Sequence, residues 1–319
     1  MREQTLEPRL PPTMGEYGMR GKTVFITGAA RGIGAASAER LCSRGANVAL
    51  VGLEPERLRE NAERLGERAA WFEADVTDMG ALEAAVAETV ARFGSIDVAI
   101  ANAGIAFTGT LSTAPVEQVE RTLAVNLLGV WRTDRAVLAE LRRSRGYLLN
   151  IASLAAVTHP PMMGPYTSAK AGVEALSDAL RLELAPVGVG VGCAYFGFLD
   201  TDLVKASFAL PSTQAAQQQM PGFLRNPAPL SKAIDAVERG IARRSARVWA
   251  PRWVGPMITL RGLLQPLIER GALRDLDRLR EDVRIAESSH ENETMDPLLG
   301  VAANVLAEHD PQPAPTPRG

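Results

Sequence analysis

The sequence predicts an α/β fold in which a doubly wound parallel sheet lies between two layers of helices, within a single domain. Strand-like apolar runs alternate with helix-like segments along the chain, as in parallel α/β proteins. Runs such as 48–51 and 98–100 are apolar without interruption, which is typical of strands covered on both faces. The 319 residues, 46% of them hydrophobic, are enough to bury a substantial core.

The first strand–helix–strand unit is predicted near the N-terminus. A β-branched run at 22–26 precedes a glycine-rich turn, and a helix-favouring stretch and a second strand follow it. In that turn Gly28 permits a tight bend, Gly32 lets the backbone approach a pyrophosphate, and Gly34 lets the helix pack on the sheet. The helix N-terminus favours an anion. Isolated glycine triplets also occur in surface turns, but the strand before and the helix after this one favour a dinucleotide site.

Tyr166 and Lys170 stand four positions apart on a helix that is predicted to begin near Pro165, and Ser153 lies upstream. A phenol has a pKa of about 10, and an ammonium group one helical turn away is expected to lower it. Such a tyrosine could exchange a proton with an alcohol or carbonyl oxygen that a serine hydroxyl holds. Alone, these residues could be a surface tyrosine, a solvated charge and a strand-end cap. Together with the glycine loop, they favour redox chemistry at a C–O bond.

The spacing Thr-Gly-x-x-x-Gly-x-Gly, followed by Tyr-x-x-x-Lys with an upstream serine, resembles the short-chain dehydrogenase/reductase family over residues 21–251. Asn126, in Val-Asn-Leu, matches the fourth catalytic residue of that family. The resemblance implies a Rossmann-like three-layer fold that binds NAD(P). It also implies that Tyr166 is the general acid and base, that Ser153 holds the substrate oxygen, and that Lys170 holds the nicotinamide ribose. Asn126 would support a water that links Lys170 to solvent.

The resemblance also implies the cofactor contacts. Asp75 and Val76 follow the third strand, where the family holds the adenine ring, and the segment 101–104 resembles the family's Asn-Asn-Ala-Gly with Ala in the first position. Phe196 stands where the family usually has proline, which affects the backbone path beside the nicotinamide. The expected cofactor contacts are Gly28, Arg31, Gly32, Ile33, Gly34, Gly52, Leu53, Asp75, Val76, Asn102, Ala103, Gly104, Tyr166, Lys170, Gly197, Phe198, Leu199 and Thr201.

The choice between NADP and NAD depends on the end of the second strand. Family members that prefer NAD usually carry an acid there, whereas this chain has Gly52. The small residue leaves room for a 2′-phosphate, which Arg31 could bind. Against this, Leu53 stands where NADP-preferring members often have arginine, and Glu54 would repel a phosphate if it turned inward. We expect NADP, with NAD as the alternative.

The chain is predicted to carry additional segments outside a catalytic domain at 21–251. Residues 1–20 form an N-terminal extension, 252–287 a helical extension and 288–319 a disordered tail. Residues 254–273 could cover the substrate entrance or a subunit face, or could lie on a membrane surface. The segment 200–230 resembles the family's substrate lid. Its apolar residues favour a fairly large apolar substrate, although an ordinary lid packed on the core is the alternative: Leu203, Val204, Phe208, Leu210, Met220 and Phe223.

Composition argues against several other classes of protein. The net charge is −2 with acids and bases interspersed, so no nucleic-acid partner is expected. The two cysteines and three histidines form no disulfide or metal-binding pattern. The uncharged stretch 148–169 contains polar residues and prolines, so it does not read as a membrane span. The N-terminal residues do not resemble a signal peptide, and we expect a cytoplasmic protein.

The predicted function is that of an NAD(P)-dependent alcohol dehydrogenase or ketoreductase, which interconverts a secondary alcohol and a ketone. The alternative is a catalytically silent nucleotide-binding sensor or scaffold on the same fold, which would often lack the tyrosine or the lysine. A sugar-nucleotide epimerase would have a different glycine spacing and a larger C-terminal domain. The resemblance further implies a homodimer formed through the helices at 116–143 and 165–185. A tetramer is also possible, although the C-terminal extension could block the interface that it requires.

Overall fold

The computed structural model describes residues 18–202, 204–205 and 226–292. Seven parallel strands form one sheet in the order β3-β2-β1-β4-β5-β6-β7. The strand order changes direction between β1 and β4, which confirms the predicted doubly wound sheet. The strands are β1 (Thr23–Thr27), β2 (Asn47–Gly52), β3 (Ala69–Glu73), β4 (Val98–Ala101), β5 (Tyr147–Ile151), β6 (Gly190–Phe196) and β7 (Arg247–Ala250).

Helices cover both faces of this sheet. On β1, Val24 and Ile26 pack with residues of the helices at 32–43 and 230–243, whereas Phe25 packs with residues of the helices at 79–93 and 129–144 on the opposite face. Five of the strands are buried along most of their length, as the uninterrupted apolar runs predict. The helices are α1 (Gly32–Ser43), α2 (Pro55–Leu65), α3 (Met79–Phe93), α4 (Val116–Leu123), α5 (Gly129–Ser144), α6 (Ala155–Thr158), α7 (Gly164–Leu184), α8 (Leu230–Arg243), α9 (Val254–Thr259), α10 (Arg261–Leu273) and α11 (Leu276–Asn292).

The helical stretch expected at 116–143 is not one regular helix. A π-helical turn at Ala124–Leu128 separates α4 from α5, and it carries Asn126. Asparagine is a poor residue for a helix interior because its side chain competes for backbone hydrogen bonds. A π turn re-aims the side chain at such a position, and such turns are frequent at functional sites.

Most of the predicted substrate lid lies outside the described residues, including Leu203, Phe208, Leu210, Met220 and Phe223. The same holds for 1–17 and 293–319. Of the described helices, none combines the length and the apolar character needed to cross a bilayer. The described residues also contain no group of three or more His, Cys, Asp or Glu side chains placed to bind a metal ion.

Candidate active site

The loops that follow four neighbouring strands meet at one edge of the sheet. Because the strands are parallel, the residues after β1, β4, β5 and β6 emerge at their carboxyl ends on both sides of the point where the strand order changes. This crevice is where open α/β sheets bind ligands. The glycine loop follows β1, Asn102 follows β4, Ser153 follows β5, and Gly197 follows β6.

Positive φ angles and close contacts between backbone atoms give the glycine loop after β1 its shape. Gly28 and Gly32 have φ values of +65° and +57°, in the left-handed region that favours glycine. A Cβ atom placed on Gly34 would lie 2.2 Å from the Gly28 carbonyl oxygen, so the first turn of α1 packs directly on the loop. A Cβ on Gly32 would have Thr201 Cγ2, at 4.0 Å, as its nearest neighbour, so the backbone there is open. This open backbone beside a helix N-terminus fits a pyrophosphate group.

Hydrogen bonds from Asn102 hold the glycine loop in place. Its Nδ2 donates hydrogen bonds of 3.0 Å to the carbonyl oxygens of both Thr27 and Gly28. Its backbone N–H donates to Thr27 Oγ1 at 3.1 Å. Ala103 lies against Gly28, where an added Cβ would meet Ala103 Cα at 2.8 Å. The side chain of Asn102 therefore sets the shape of the loop.

Arg31 is engaged by Glu54 at the end of β2. Its Nε donates to Glu54 Oε1 at 2.9 Å, and its Nη2 donates to Glu54 Oε2. Arg57 Nε lies 3.4 Å from the same carboxylate. Gly52 leaves space beside this group, because the nearest atom to an added Cβ is Leu58 Cδ1 at 3.8 Å. Glu54 thus acts as the counter-ion of Arg31 and Arg57, a role that the sequence analysis missed.

Other expected cofactor residues lie in the turns after β3 and β6 or at the start of α1. Asp75 Oδ1 accepts a hydrogen bond of 2.7 Å from the Thr77 N–H, which fixes the turn after β3. Val76 is buried, and Ile33 packs against the core. The Thr201 N–H donates to the Leu199 carbonyl at 2.8 Å, which turns Thr201 toward the glycine loop.

The segment after β6 is held by the end of β7 and by Trp253, at the start of the C-terminal extension. The Gly197 N–H donates to the Ala250 carbonyl at 2.9 Å, so the chain continues the line of β6 past Phe196. A Cβ on Gly197 would lie 3.1 Å from the Trp253 ring. Sequence analysis missed Trp253, because it lies beyond the last strand and belongs to no motif.

Ser153, Tyr166 and Lys170 come together where β5 meets α7. Tyr166 and Lys170 occupy the first two turns of α7, and the Tyr166 hydroxyl is hydrogen-bonded to Ser153. Lys170 Nζ lies 5.8 Å from the centre of the Tyr166 ring and donates to the Ile151 carbonyl at 2.8 Å. Lys170 is only 4% exposed, so the reading of it as a solvated charge is wrong. Ser153 Oγ also accepts from the Ala155 N–H at 3.2 Å.

Asn126 approaches this cluster from the π-helical turn. Its amide donates to the Ile105 carbonyl and accepts from the Ile105 N–H, both at 2.8 Å. A Cβ on Gly104 would lie 2.8 Å from Asn126 Oδ1 and 3.6 Å from Lys170 Nζ. Asn126 and Lys170 therefore both lie close to Gly104, and the structure brings all four residues of the expected catalytic set into one region.

The electrostatics of the cluster differ from the prediction. Burial raises the pKa of Tyr166 above its usual value, and the hydrogen bond from Ser153 only partly offsets this. Burial lowers the pKa of Lys170 to about 8. In the protein by itself, Lys170 therefore loses its proton before Tyr166 ionises. The net shift of the Tyr166 pKa is therefore upward, opposite in direction to the one expected from a nearby ammonium group, because helical spacing takes no account of burial.

Comparison with known proteins points to one family. A family model described as short chain dehydrogenase matches residues 22–210. A 2-(R)-hydroxypropyl-CoM dehydrogenase of Xanthobacter autotrophicus is 35% identical over 192 residues, which cover 58% of this chain and 77% of the relative. The human 3-hydroxyacyl-CoA dehydrogenase type-2 is 30% identical over 236 residues, covering 69% and 89%. The crystal structure of a dehydrogenase/reductase from Sinorhizobium meliloti superposes with a TM-score of 0.66 and 28% identity, covering 73% of this chain and 94% of that one.

Proposed function

The chain belongs to the short-chain dehydrogenase family, and on that premise we propose that it interconverts a secondary alcohol and a ketone with Tyr166 as general acid and base. The observation that carries the proposal is the convergence of Ser153, Tyr166, Lys170 and Asn126 beside an open glycine loop. A silent nucleotide-binding scaffold would need none of these four side chains, and no feature of the described site favours it.

Each residue of the cluster has a distinct role in the proposed reaction. NAD(P)(H), when bound, supplies the hydride or accepts it. In reduction the Tyr166 hydroxyl donates its proton to the substrate oxygen, while the Ser153 hydroxyl donates a hydrogen bond to the same oxygen. In oxidation Tyr166 accepts the proton instead. Lys170 would hold a ribose hydroxyl of the cofactor, and Asn126, which two hydrogen bonds fix to Ile105, would support a water that links Lys170 to solvent.

We propose NADP(H) as the preferred cofactor. Two guanidinium groups, those of Arg31 and Arg57, converge at the end of β2 on a single carboxylate, that of Glu54. The local charge is therefore positive, which suits a 2′-phosphate. Gly52 places no side chain in the space beside them. Binding of the phosphate would require Arg31 to exchange its contact with Glu54 for one with the phosphate.

The proposed substrate is a fairly large apolar alcohol or ketone. A pocket of about 470 Å³ lies beside the first turns of α7, against Gly164, Thr167, Ser168 and Ala171, and Tyr166 is not among the residues that line it. Its lining is mainly apolar and includes Leu111, Pro160, Pro161, Met162 and Ala171. An apolar lining of this size favours substrates with extended hydrocarbon parts over small polar ones.

The direct test replaces Tyr166 with phenylalanine. Turnover of a panel of apolar ketones with NADPH should fall by about 100- to 10,000-fold, because the proton donor is lost. Tyr147→Phe is the matched control: this buried tyrosine lies at the opposite end of β5, where its hydroxyl donates to the Ser245 carbonyl, and turnover should be retained. Equal turnover by wild type and Tyr166→Phe would disprove the mechanism. A wild type that turns over no ketone or alcohol would favour the scaffold.

A further inference from the structure

The helix α10 presents leucine side chains to solvent. Leu263 is 71% exposed and Leu267 is 61% exposed, values that are unusual for leucine in a folded domain. Of the 14 exposed large apolar side chains in the described part of the chain, six lie between 260 and 276. Single exposed leucines are common on protein surfaces, but a cluster of this density marks an interaction surface.

The opposite face of α10 is fixed to the catalytic domain. Arg261 Nη1 donates to both carboxylate oxygens of Glu174 on α7, at 2.9 and 2.8 Å. Gln265 Nε2 lies 2.5 Å from His159 Nδ1, in the segment that follows α6. Arg261 and Gln265 are one turn apart and share a helix face, so the leucines at 263 and 267 must point the other way.

The exposed face of α10 forms a stripe that ends in arginines. Leu260, Leu263, Leu267, Arg270 and Arg274 follow one another at intervals of three and four residues, and we call this set the leucine–arginine stripe. The stripe contains no carboxylate, and the described residues provide no ion-pair partner for Arg270 or Arg274. Between 252 and 274 the chain has four arginines and one glutamate, although its net charge is −2. The surface is therefore both apolar and locally basic.

The charge pattern decides what can cover this stripe. Pairing with the same stripe of a second copy would place arginines against arginines or against leucines, with no carboxylate to neutralise them. An anionic lipid surface offers both an apolar layer for the leucines and phosphate groups for the arginines. We propose that the leucine–arginine stripe of α10 docks on the surface of an anionic phospholipid bilayer, with the helix lying parallel to it. This inference does not depend on the reaction that the enzyme catalyses.

Vesicle sedimentation with the full chain tests the proposal. The protein should sediment with vesicles that contain phosphatidylglycerol and phosphatidylcholine, and bind those of phosphatidylcholine alone far more weakly. Binding should weaken at high salt, because the electrostatic part is screened. Sedimentation with neither kind of vesicle, or equally with both, would overturn the proposal.

Two double variants separate the apolar and the basic contributions. Leu263→Ser with Leu267→Ser should weaken binding to anionic vesicles by about 10-fold or more, because the apolar contact is lost. Arg270→Gln with Arg274→Gln should weaken it by about 30-fold, from roughly fivefold for each basic residue near the surface. The matched control, Leu182→Ser with Val187→Ser, removes exposed apolar side chains at the end of α7 and in the turn after it, and should bind like wild type.

Light scattering without lipid tests the alternative that the stripe is a contact between subunits. If wild type forms a larger assembly than the Leu263→Ser, Leu267→Ser variant, the stripe is a contact between subunits and the membrane proposal fails. Both serine positions lie on the exposed surface, so thermal unfolding followed by circular dichroism should show that the variants remain folded. Vesicle binding that both double variants retain in full would likewise overturn the proposal.

Discussion

The glycine loop and the Ser153–Tyr166–Lys170 cluster lie at the same edge of the sheet, but different interactions give them their shapes. Backbone conformation and close neutral contacts define the loop, as the positive φ angles and the two hydrogen bonds from Asn102 show. The cluster instead consists of ionisable groups whose pKa values burial has displaced.

The loop therefore depends on geometry alone, whereas the cluster also depends on which of its groups carry a proton. The loop is complete in the protein by itself, because its shape depends on atoms that carry no titratable charge. The cluster has its residues in place, but burial has displaced two pKa values: Tyr166 is a weaker acid than a free phenol and Lys170 a weaker base than a free amine. Added volume should therefore damage the loop, whereas changes in protonation should affect the cluster and the buried groups behind it.

The largest expected effect concerns Asp134, a buried residue of α5 that contacts Asn150 on β5. Its carboxyl group is 1% exposed, accepts a hydrogen bond of 2.9 Å from Asn150 Nδ2, and has no described partner at Oδ1. Burial raises the pKa of Asp134 to about 8, and the hydrogen bond from Asn150 lowers it only in part. The folded protein therefore binds this proton more tightly than the unfolded chain, where the pKa is about 3.9.

The sign of the resulting pH dependence follows from this difference. The stabilising contribution of protonated Asp134 is complete below pH about 4 and is lost as the pH rises to about 8, at about 1.4 kcal/mol per pH unit. Asp134→Asn keeps an acceptor for Asn150 and removes the titration. Its free energy of unfolding relative to wild type should therefore increase steadily across this range, as measured by denaturant unfolding at several pH values. Parallel curves for the two proteins would show that Asp134 does not titrate in this way.

The second prediction adds volume to the loop. In Gly34→Ala the new methyl group would overlap the Gly28 carbonyl oxygen at 2.2 Å, so the loop or α1 must shift. Cofactor affinity should fall by about 10- to 100-fold, which corresponds to the roughly 1–3 kcal/mol that overpacking costs. Gly262→Ala is the matched control, because it is also helical and an added Cβ there meets nothing within 4 Å. Calorimetric titration with NADP and NAD measures both; unchanged affinity in Gly34→Ala would mean that the loop adapts freely.

Sequence reasoning predicted the parts of this molecule that depend on local spacing. Uninterrupted apolar runs located strands: the runs 48–51 and 98–100 lie within β2 and β4. The glycine spacing predicted the loop after β1 because positive φ angles and close helix packing are demands that glycine meets directly. The four expected catalytic residues lie together because the loop after β5, the first turns of α7 and the π-helical turn at Ala124–Leu128 come close to one another.

Sequence reasoning could not supply features set by tertiary burial or orientation. Four-residue spacing places Lys170 one turn from Tyr166, but only the fold shows that Lys170 is buried and its pKa lowered. Glu54 turns toward Arg31 because of the path of the chain after β2, which no motif encodes. The outward direction of the leucines on α10 depends on which face Arg261 and Gln265 attach to the domain. Amphipathic periodicity identifies two faces but not which of them is buried.

The third prediction identifies the group that tunes Tyr166 in the protein by itself. Ser153→Ala should raise the pKa of Tyr166 further, because a hydrogen bond of about 1.5 kcal/mol to the phenolate is lost. Lys170→Met should change it much less, since Lys170 is already neutral when Tyr166 ionises. The phenolate absorbance of each protein, with that of its Tyr166→Phe counterpart subtracted, reports the titration. If Lys170→Met raises the pKa of Tyr166 more than Ser153→Ala does, the Lys170 ammonium is the main group that lowers this pKa.

The smallest effect is expected at the end of β2, where Glu54 contacts Arg31 and Arg57. Glu54→Gln removes the carboxylate that holds Arg31 and Arg57, and so leaves both guanidinium groups available to a 2′-phosphate. Because the pair is partly exposed, with side-chain exposures of 34% and 23%, the gain should be modest. We expect kcat/KM for NADP to rise by about two- to fivefold, in keeping with surface ion pairs of at most about 1 kcal/mol, while that for NAD does not rise.

Glu56→Gln, which removes a nearby exposed carboxylate that does not contact Arg31 in the described structure, controls for the change in net charge. If kcat/KM for NADP rises equally in the two variants, the effect comes from the change in net charge and not from the contact between Glu54 and Arg31. A fall in kcat/KM for NAD that is confined to Glu54→Gln, with no gain for NADP, would instead assign Glu54 to the ribose hydroxyls. The cofactor preference would then be NAD, and the end of β2 would act through a hydrogen-bond acceptor rather than through the charge of Arg31.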